Sequence, residues 1–182
     1  MIQMHSLIQE SPSPSNLRIF LGCLSQEKPT VSVREMEYVA LTYSLLAQVY
    51  KTDLKDSYDK PPDLTKTIKR IISTILKRFF TQKSASIQQT CARVLIDISE
   101  FCLPDSHVSL KLSLLYEPLM TSIVSGDDKV VQKNACASIY EYVLYLLSKC
   151  QSSSDERGKK AFEQLQTILA DLISCFTVQI YQ

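Results

Sequence analysis

Two stretches of this chain carry the same apolar pattern, and that repetition constrains the fold more than any other feature. One spans 68–101 and the other 112–145, with a shift of 44 positions between them. Each copy has the pattern of a helix, a short polar loop and a second helix. A hairpin of two helices cannot bury its apolar face alone, so copies of this kind stack and share a core. The pairs that coincide include Ile68 with Leu112, Ile71 with Leu115, Ile75 with Leu119, Phe80 with Val124, and Leu95 with Ile139.

The rest of the chain is predicted to fit around these two copies. Residues 1–16 are expected to form an N-terminal tail with a Ser/Pro linker, and residues 17–182 a single domain. Within that domain we expect helical hairpins at about 17–50, 64–101 and 106–148, and one long last helix over 155–180.

Two residues give the expected geometry of the third hairpin. Pro118 lies inside its first helix and predicts a kink or a break there, because proline lacks the donor that a helix interior needs. Gly126 follows the same helix and is expected to end it in the left-handed conformation.

Composition favours helix and excludes several functional classes. The chain has only 3 glycines, and its net charge of +1 comes from 20 basic and 19 acidic residues. That balance gives no global attraction to nucleic acid. We find neither a signal peptide nor an apolar run long enough to span a membrane. The expectation is a cytoplasmic, cytoskeletal protein that binds neither nucleic acid nor membrane.

The motifs of catalysis and metal binding are missing from the sequence. The two histidines, His5 and His107, have no nucleophile placed near them by any motif, and no Gly-rich phosphate loop exists. The six cysteines lack zinc spacing and are interpreted as buried, reduced thiols. Ala92 and Cys136 are expected where helices approach closely. The prediction is therefore a chain with no catalytic residues, no metal and no cofactor.

Basic residues recur in the loops within hairpins and at the starts of second helices. Because equivalent loops of stacked hairpins align on one edge, we expect a ridge of positive charge that binds a protein partner. A solvated outer face remains the alternative. The residues of this predicted ridge are Lys28, Arg34, Lys83, Lys129 and Lys133.

A second basic group lies on the first helix of the middle hairpin. Lys66, Lys69 and Arg70 share one face by their spacing, and Lys77 extends that face. It is either a local patch for an acidic partner or a solvated face. Tyr140, Tyr142 and Tyr145 are interpreted as core residues with their hydroxyls at the rim rather than as a stacking platform.

The second helices open with the segments Ile87-Gln88-Gln89-Thr90-Cys91-Ala92 and Val131-Gln132-Lys133-Asn134-Ala135-Cys136. With the preceding helix and short loop, these segments resemble HEAT and armadillo repeats. The stretch 115–139 is most similar to the TOG-like HEAT arrays of Tortifolia/SPIRAL2-type microtubule-associated proteins. The resemblance implies an all-α, right-handed α-solenoid of about three HEAT/armadillo-like helical hairpins plus a long C-terminal helix.

The same resemblance implies that the loops within hairpins, 25–30, 82–86 and 126–129, contact the acidic surface of tubulin. Polymerase-type TOG domains place a Trp in the first such loop, and this chain has no Trp. Binding to the microtubule lattice, or to an unrelated partner, is therefore left open beside binding to tubulin dimers.

The leading functional prediction is a non-catalytic, protein-binding scaffold of the TOG-like, microtubule-associated type. The alternative is an armadillo-type adaptor that binds a peptide or partner helix in its concave groove, through surface residues of second helices such as Gln88 and Asn134. The last helix is expected either to cap the domain or to contact a further repeat or another chain.

Overall fold

The computed structural model of the chain describes residues 62–103, 107–153 and 155–180, with isolated positions before residue 62. Most of the predicted first hairpin lies outside these residues, as do Lys28 and Arg34. Within the described residues every regular element is helical and there is no strand. The all-α prediction is confirmed at this level.

Six α-helices follow one another in the described part of the chain, and three of them run directly into π-helical segments. Two of those three helices come from the middle hairpin: α1 is Pro62–Thr74 followed by the π-helical Ile75–Phe79, and α2 is Ala85–Asp97 followed by the π-helical Ile98–Cys102. The remaining elements are α3 (Val108–Lys111) with the π-helical Leu112–Tyr116, α4 (Glu117–Ser125), α5 (Lys129–Ser152) and α6 (Glu156–Ile180).

The repeated apolar positions form the core in both copies at most sites. Ile75 and Leu119 are both buried, as are Leu95 and Ile139. The pattern fails at Phe80 and Val124, since Phe80 is fully buried while Val124 is 61% exposed. The carbonyl of Phe80 is bound by a side chain of α5, whereas Val124 lies in the last turn of α4.

Helix α5 is central to the packing, because it contacts α2, α4 and α6. The bond from Asn134 to Phe80 precedes the bond between Tyr142 and Ser99 in both segments, so α2 and α5 run parallel. The first helices also meet, since α1 packs against Leu112–Tyr116. Helices in equivalent positions of the two copies therefore lie side by side.

Regular α-helix is interrupted next to Pro118, where we expected a kink or a break, although the backbone stays helical throughout. The backbone before it widens into the π-helical Leu112–Tyr116, in which the N–H of Glu117 donates to the carbonyl of Leu112. Pro118 follows in the first turn of α4, where a missing donor costs least. The change of helical pitch thus carries the chain past a residue that cannot continue a regular α-helix.

Gly126 does not adopt the left-handed conformation, so that expectation is wrong. Its φ is −81° and its ψ is 138°, an extended backbone. Glycine is required for a different reason, because a Cβ at this position would lie 2.2 Å from the carbonyl oxygen of Ser122. The end of α4 is closed by Gln132, whose side-chain Nε2 donates to the carbonyl oxygens of Ile123 and Gly126 over 3.2 and 2.6 Å.

The cysteines divide between core and surface. Cys91 is buried and Cys136 is exposed, so the expectation of a buried Cys136 is wrong. The fully buried Ala135 takes the close approach instead, and the next residue of a helix points about 100° away from it. Ala92 is buried as expected.

In the part of the chain that the structure describes, no helix is both long and apolar enough for a membrane span.

Candidate protein-binding face on α5

Three of the five predicted ridge residues lie in the described part of the chain, and all three are exposed. Lys83 is in the loop 80–84 between the end of the first π-helical segment and α2. Lys129 is the first residue of α5, and Lys133 follows one turn later on the same side. Lys28 and Arg34, the other two, lie outside the described residues.

One buried side chain connects the loop of Lys83 to the helix of Lys133. Asn134 is fully buried, and its amide nitrogen donates to the carbonyl oxygens of Phe80 and, over 3.1 Å, of Gln82. Lys83 follows Gln82 directly, and Lys133 precedes Asn134. The structure therefore brings the loop lysine to the N-terminal end of α5. Asn134 is not available as a surface residue of the concave groove, so that part of the alternative prediction is wrong, and Gln88 is half-buried.

The charge at this end of α5 is mixed. Asp128 caps the helix, since its Oδ1 accepts from the backbone N–H groups of Val130 and Val131 over 2.7 and 3.3 Å. Asp127 beside it is exposed. Because a helix N-terminus carries a partial positive charge, Lys129 is unfavourable there by about 0.3–1 kcal/mol, and the cap offsets this. Fold stability alone gives no reason for a lysine at this position.

The exposed side of α5 continues from these lysines into an apolar stripe. Tyr140, Leu144 and Leu147 follow Lys133 at spacings of three and four or their sum, which keeps them on one side of the helix. Tyr140 is 61% exposed, Leu144 42% and Leu147 38%. We call the five residues Lys129, Lys133, Tyr140, Leu144 and Leu147 the outer stripe of α5. It contains two cations and three large apolar side chains.

The opposite side of α5 is fixed by a buried polar chain across three helical elements. The hydroxyl of Tyr142 donates to Gln164 Oε1 of α6 over 2.9 Å. Ser99, in the π-helical segment after α2, lies 2.9 Å from the same hydroxyl and therefore donates to it. All three side chains are buried. These two buried hydrogen bonds fix the rotation of α5 about its axis, and hence the direction in which the outer stripe points.

The three tyrosines have different roles. Tyr142 is a core residue, as predicted, but its hydroxyl is buried between Ser99 and Gln164 rather than at the rim, so that part of the prediction is wrong. Its ring is stacked on that of half-buried Tyr145 at 5.8 Å between centroids. The ammonium of Lys149 lies 5.1 Å from the Tyr145 centroid and 3.7 Å from Glu100 Oε1. Tyr140 is exposed, so its assignment to the core is wrong. Its spacing to Leu144 and Leu147, read together with Lys129 and Lys133, was the signal in the sequence that could have identified the stripe.

Two groups in the core, Cys91 and Tyr116, have strongly raised pKa values. Burial raises the pKa of the Cys91 thiol to about 12. Burial first, and then the charges of Asp171 and Cys175, raise the pKa of the Tyr116 hydroxyl above its usual value. Among the described residues no group of three His, Cys, Asp or Glu side chains could hold a metal ion. The geometry on α5 supplies charge and apolar area, which are means of binding.

We compared the chain with known protein families, curated proteins and solved structures. No protein-family model matches the chain, and neither a curated protein nor a solved structure does.

Proposed function

We propose that this chain is a non-catalytic scaffold that binds another protein through the loop 80–84 and the N-terminal half of α5. The observation that carries the proposal is the bond network of Asn134, which holds the loop of Lys83 against the turn of Lys133. A buried side chain with two backbone acceptors positions the exposed cations on either side of it. Such positioning reduces the ordering entropy lost when a partner binds.

The proposed architecture is a right-handed α-solenoid of the HEAT or armadillo kind. Support comes from the parallel packing of α2 on α5 and from the contact of α1 with Leu112–Tyr116, because both join equivalent helices of the two sequence copies. Solenoids built in this way use long exposed surfaces for binding. The exposed Phe162, Leu169 and Ile173 on α6 support a further contact of that helix with another repeat or another chain.

The proposed partner is an acidic protein surface, and the microtubule is the first to test in view of the resemblance to TOG-like arrays. Lys83, Lys129 and Lys133 would supply the cations, and location in the cytoplasm is part of the proposal. Exposed charge pairs are screened within about 8 Å at physiological ionic strength, so binding through these lysines weakens as salt is added.

The test is co-sedimentation of the purified chain with stabilised microtubules at low and high salt. Pelleting at low salt that is lost at high salt, and lost with Lys83→Glu plus Lys129→Glu, is the expected result. The matched control is Lys66→Glu plus Lys159→Glu, which changes the net charge equally at two exposed lysines that belong neither to the loop 80–84 nor to α5. Failure to pellet at either salt concentration, or an equal loss of pelleting in the control variant, would contradict the microtubule proposal.

A second candidate function is an adaptor that binds a partner helix along the outer stripe of α5. The exposure of Tyr140, Leu144 and Leu147 favours it, because large apolar side chains in one row mark surfaces where helices dock. Binding of this kind depends less on salt. Leu144→Gln would weaken it while leaving lysine-dependent pelleting intact, which separates the two candidates.

A further inference from the structure

A groove lies between the first helices of the two repeat copies. It has a volume of about 460 Å³. It is bounded on one side by α1 and the π-helical residues after it, and on the other by the π-helical Leu112–Tyr116, by α4 and by Val131 at the start of α5. Ile72, Leu76, Leu114 and Val131 supply its apolar surface. Among its lining residues there is no carboxylate.

One rim of the groove carries two lysines. Lys69 and Lys77 are both exposed, and Ser73 lies midway between them on the same side of α1. Eight positions separate the lysines, which corresponds to roughly 12 Å along a helix axis. No ion pair recorded among the described residues involves Lys69 or Lys77. These two cations therefore face the groove region with no carboxylate of the described chain to neutralise them.

On the other rim of the groove, the two serine hydroxyls are already hydrogen-bonded within the protein. The hydroxyl of Ser122 donates to the carbonyl of Pro118 over 2.9 Å, and that of Ser113 to the carbonyl of Leu110 over 3.4 Å. Both rim hydroxyls are thus engaged by their own helix. The polar selectivity of the groove falls to Lys69 and Lys77.

Both walls of the groove contain π-helical backbone. Leu76 and Lys77 belong to Ile75–Phe79, and Ser113 and Leu114 belong to Leu112–Tyr116. π-helical turns are rare in proteins and occur frequently at functional sites. Their presence on both sides of the same groove is a second observation, independent of charge, which indicates that the groove is a binding site.

We infer that the groove binds an amphipathic helical segment of a partner protein that carries two carboxylates about two turns apart beside an apolar row. The carboxylates pair with Lys69 and Lys77, and the apolar row fills the space over Ile72, Leu76 and Leu114. The apolar lining suits the apolar side chains of a helix face, and the two cations set the register and the charge of that helix. This site uses no residue of the outer stripe of α5 and none of the loop 80–84.

The test uses three synthetic peptides of about 20 residues, long enough to be helical in part. The first carries two Glu eight positions apart beside a Leu row, the second has Lys at those two positions, and the third has the composition of the first in scrambled order. Binding is measured by fluorescence anisotropy. The Glu peptide is expected to bind at least tenfold more tightly than the other two, with a Kd well below about 500 μM.

Charge reversal of the protein provides the decisive comparison. Lys69→Glu plus Lys77→Glu should weaken the Glu peptide at least tenfold and strengthen the Lys peptide, and Ser73→Trp should block both by filling the groove. The control, Arg157→Glu plus Lys159→Glu, changes two exposed basic residues that do not line the groove and should stay within about twofold of the parent. No binding of the Glu peptide below about 500 μM, an equal loss in the control, or loss through Lys129→Glu plus Lys133→Glu instead would overturn the inference.

Discussion

Asn134→Leu tests the contact on which the proposed binding face depends. The side chain is fully buried, and leucine, which is branched at Cγ like asparagine, cannot donate to the carbonyls of Phe80 and Gln82. A buried acceptor left without a donor costs about 1–3 kcal/mol. We assign about 2 kcal/mol to Phe80, whose bond is buried, and about 1 kcal/mol to Gln82, whose bond is partly exposed.

The substitution by leucine also has two stabilising effects that offset part of this loss. Asn134 Oδ1 is buried without a hydrogen-bond partner, so its removal relieves a desolvation penalty, and additional methyl groups are buried. These gains offset roughly 1 kcal/mol. The expected net loss in the free energy of unfolding is about 2 kcal/mol, which corresponds to a fall in Tm of roughly 4–8 °C for a chain of this size.

Urea unfolding followed by circular dichroism measures this loss. The matched control is Thr90→Val, at the equivalent position 44 residues earlier in α2, where the hydroxyl donates to the carbonyl of Ser86 in its own helix. That variant should stay within about 0.5 kcal/mol of the parent. The Asn134 variant should also be cut faster by trypsin at Lys83, because the loop is released. Parental stability with unchanged cleavage would refute the assignment of Asn134 as the tie between loop and helix.

Three further substitutions or labels test the packing around α5. Ala92→Leu should overpack a buried site and cost about 1–3 kcal/mol in urea unfolding, while Cys136→Leu at the equivalent exposed position should be close to neutral; equal effects would contradict the burial difference. Tyr142→Phe removes the bonds to Ser99 and Gln164 and should cost about 1–3 kcal/mol, and a stabilised variant would show that the buried polar chain does not hold the helices. With a pKa of about 12, Cys91 has roughly one thiolate in ten thousand at pH 8, so peptide mapping after alkylation of the native chain should show label on Cys136 before Cys91; early label on Cys91 would place it outside the core.

Periodicity predicted the parts of the fold that depend on which residues are apolar. The shift of 44 positions placed Ile75 and Leu119 in the core, and Leu95 and Ile139 likewise, because a helix buries residues three and four apart whatever its neighbours. Pro118 predicted an interruption of regular α-helix in the third hairpin for an equally local reason. These inferences need only the chemistry of one segment.

Features that depend on contact between segments were not predictable in this way. The π-helical turns widen the backbone without a composition signature, and the groove between α1 and α4 exists only where two such segments meet. The burial of Asn134 is set by a carbonyl 54 positions away, and a polar residue in a second helix gives no sign of that. For the same reason Gly126 was assigned to the wrong conformation, since its constraint is the approach of Ser122.

The outer stripe of α5 was missed although all its residues are in the printed sequence, and the reason lies in the helix itself. A helix packed against three others is apolar around much of its circumference, so Tyr140, Leu144 and Leu147 add to an already apolar segment rather than stand out. Burial through Ala135, Tyr142 and Leu146 on the other side is what holds α5 in place. Substitutions on the outer stripe can therefore change binding while the core contacts that stabilise the helix stay the same, and substitutions such as Tyr142→Phe do the reverse. A stripe variant that lowered stability as much as binding would show that the stripe belongs to the core.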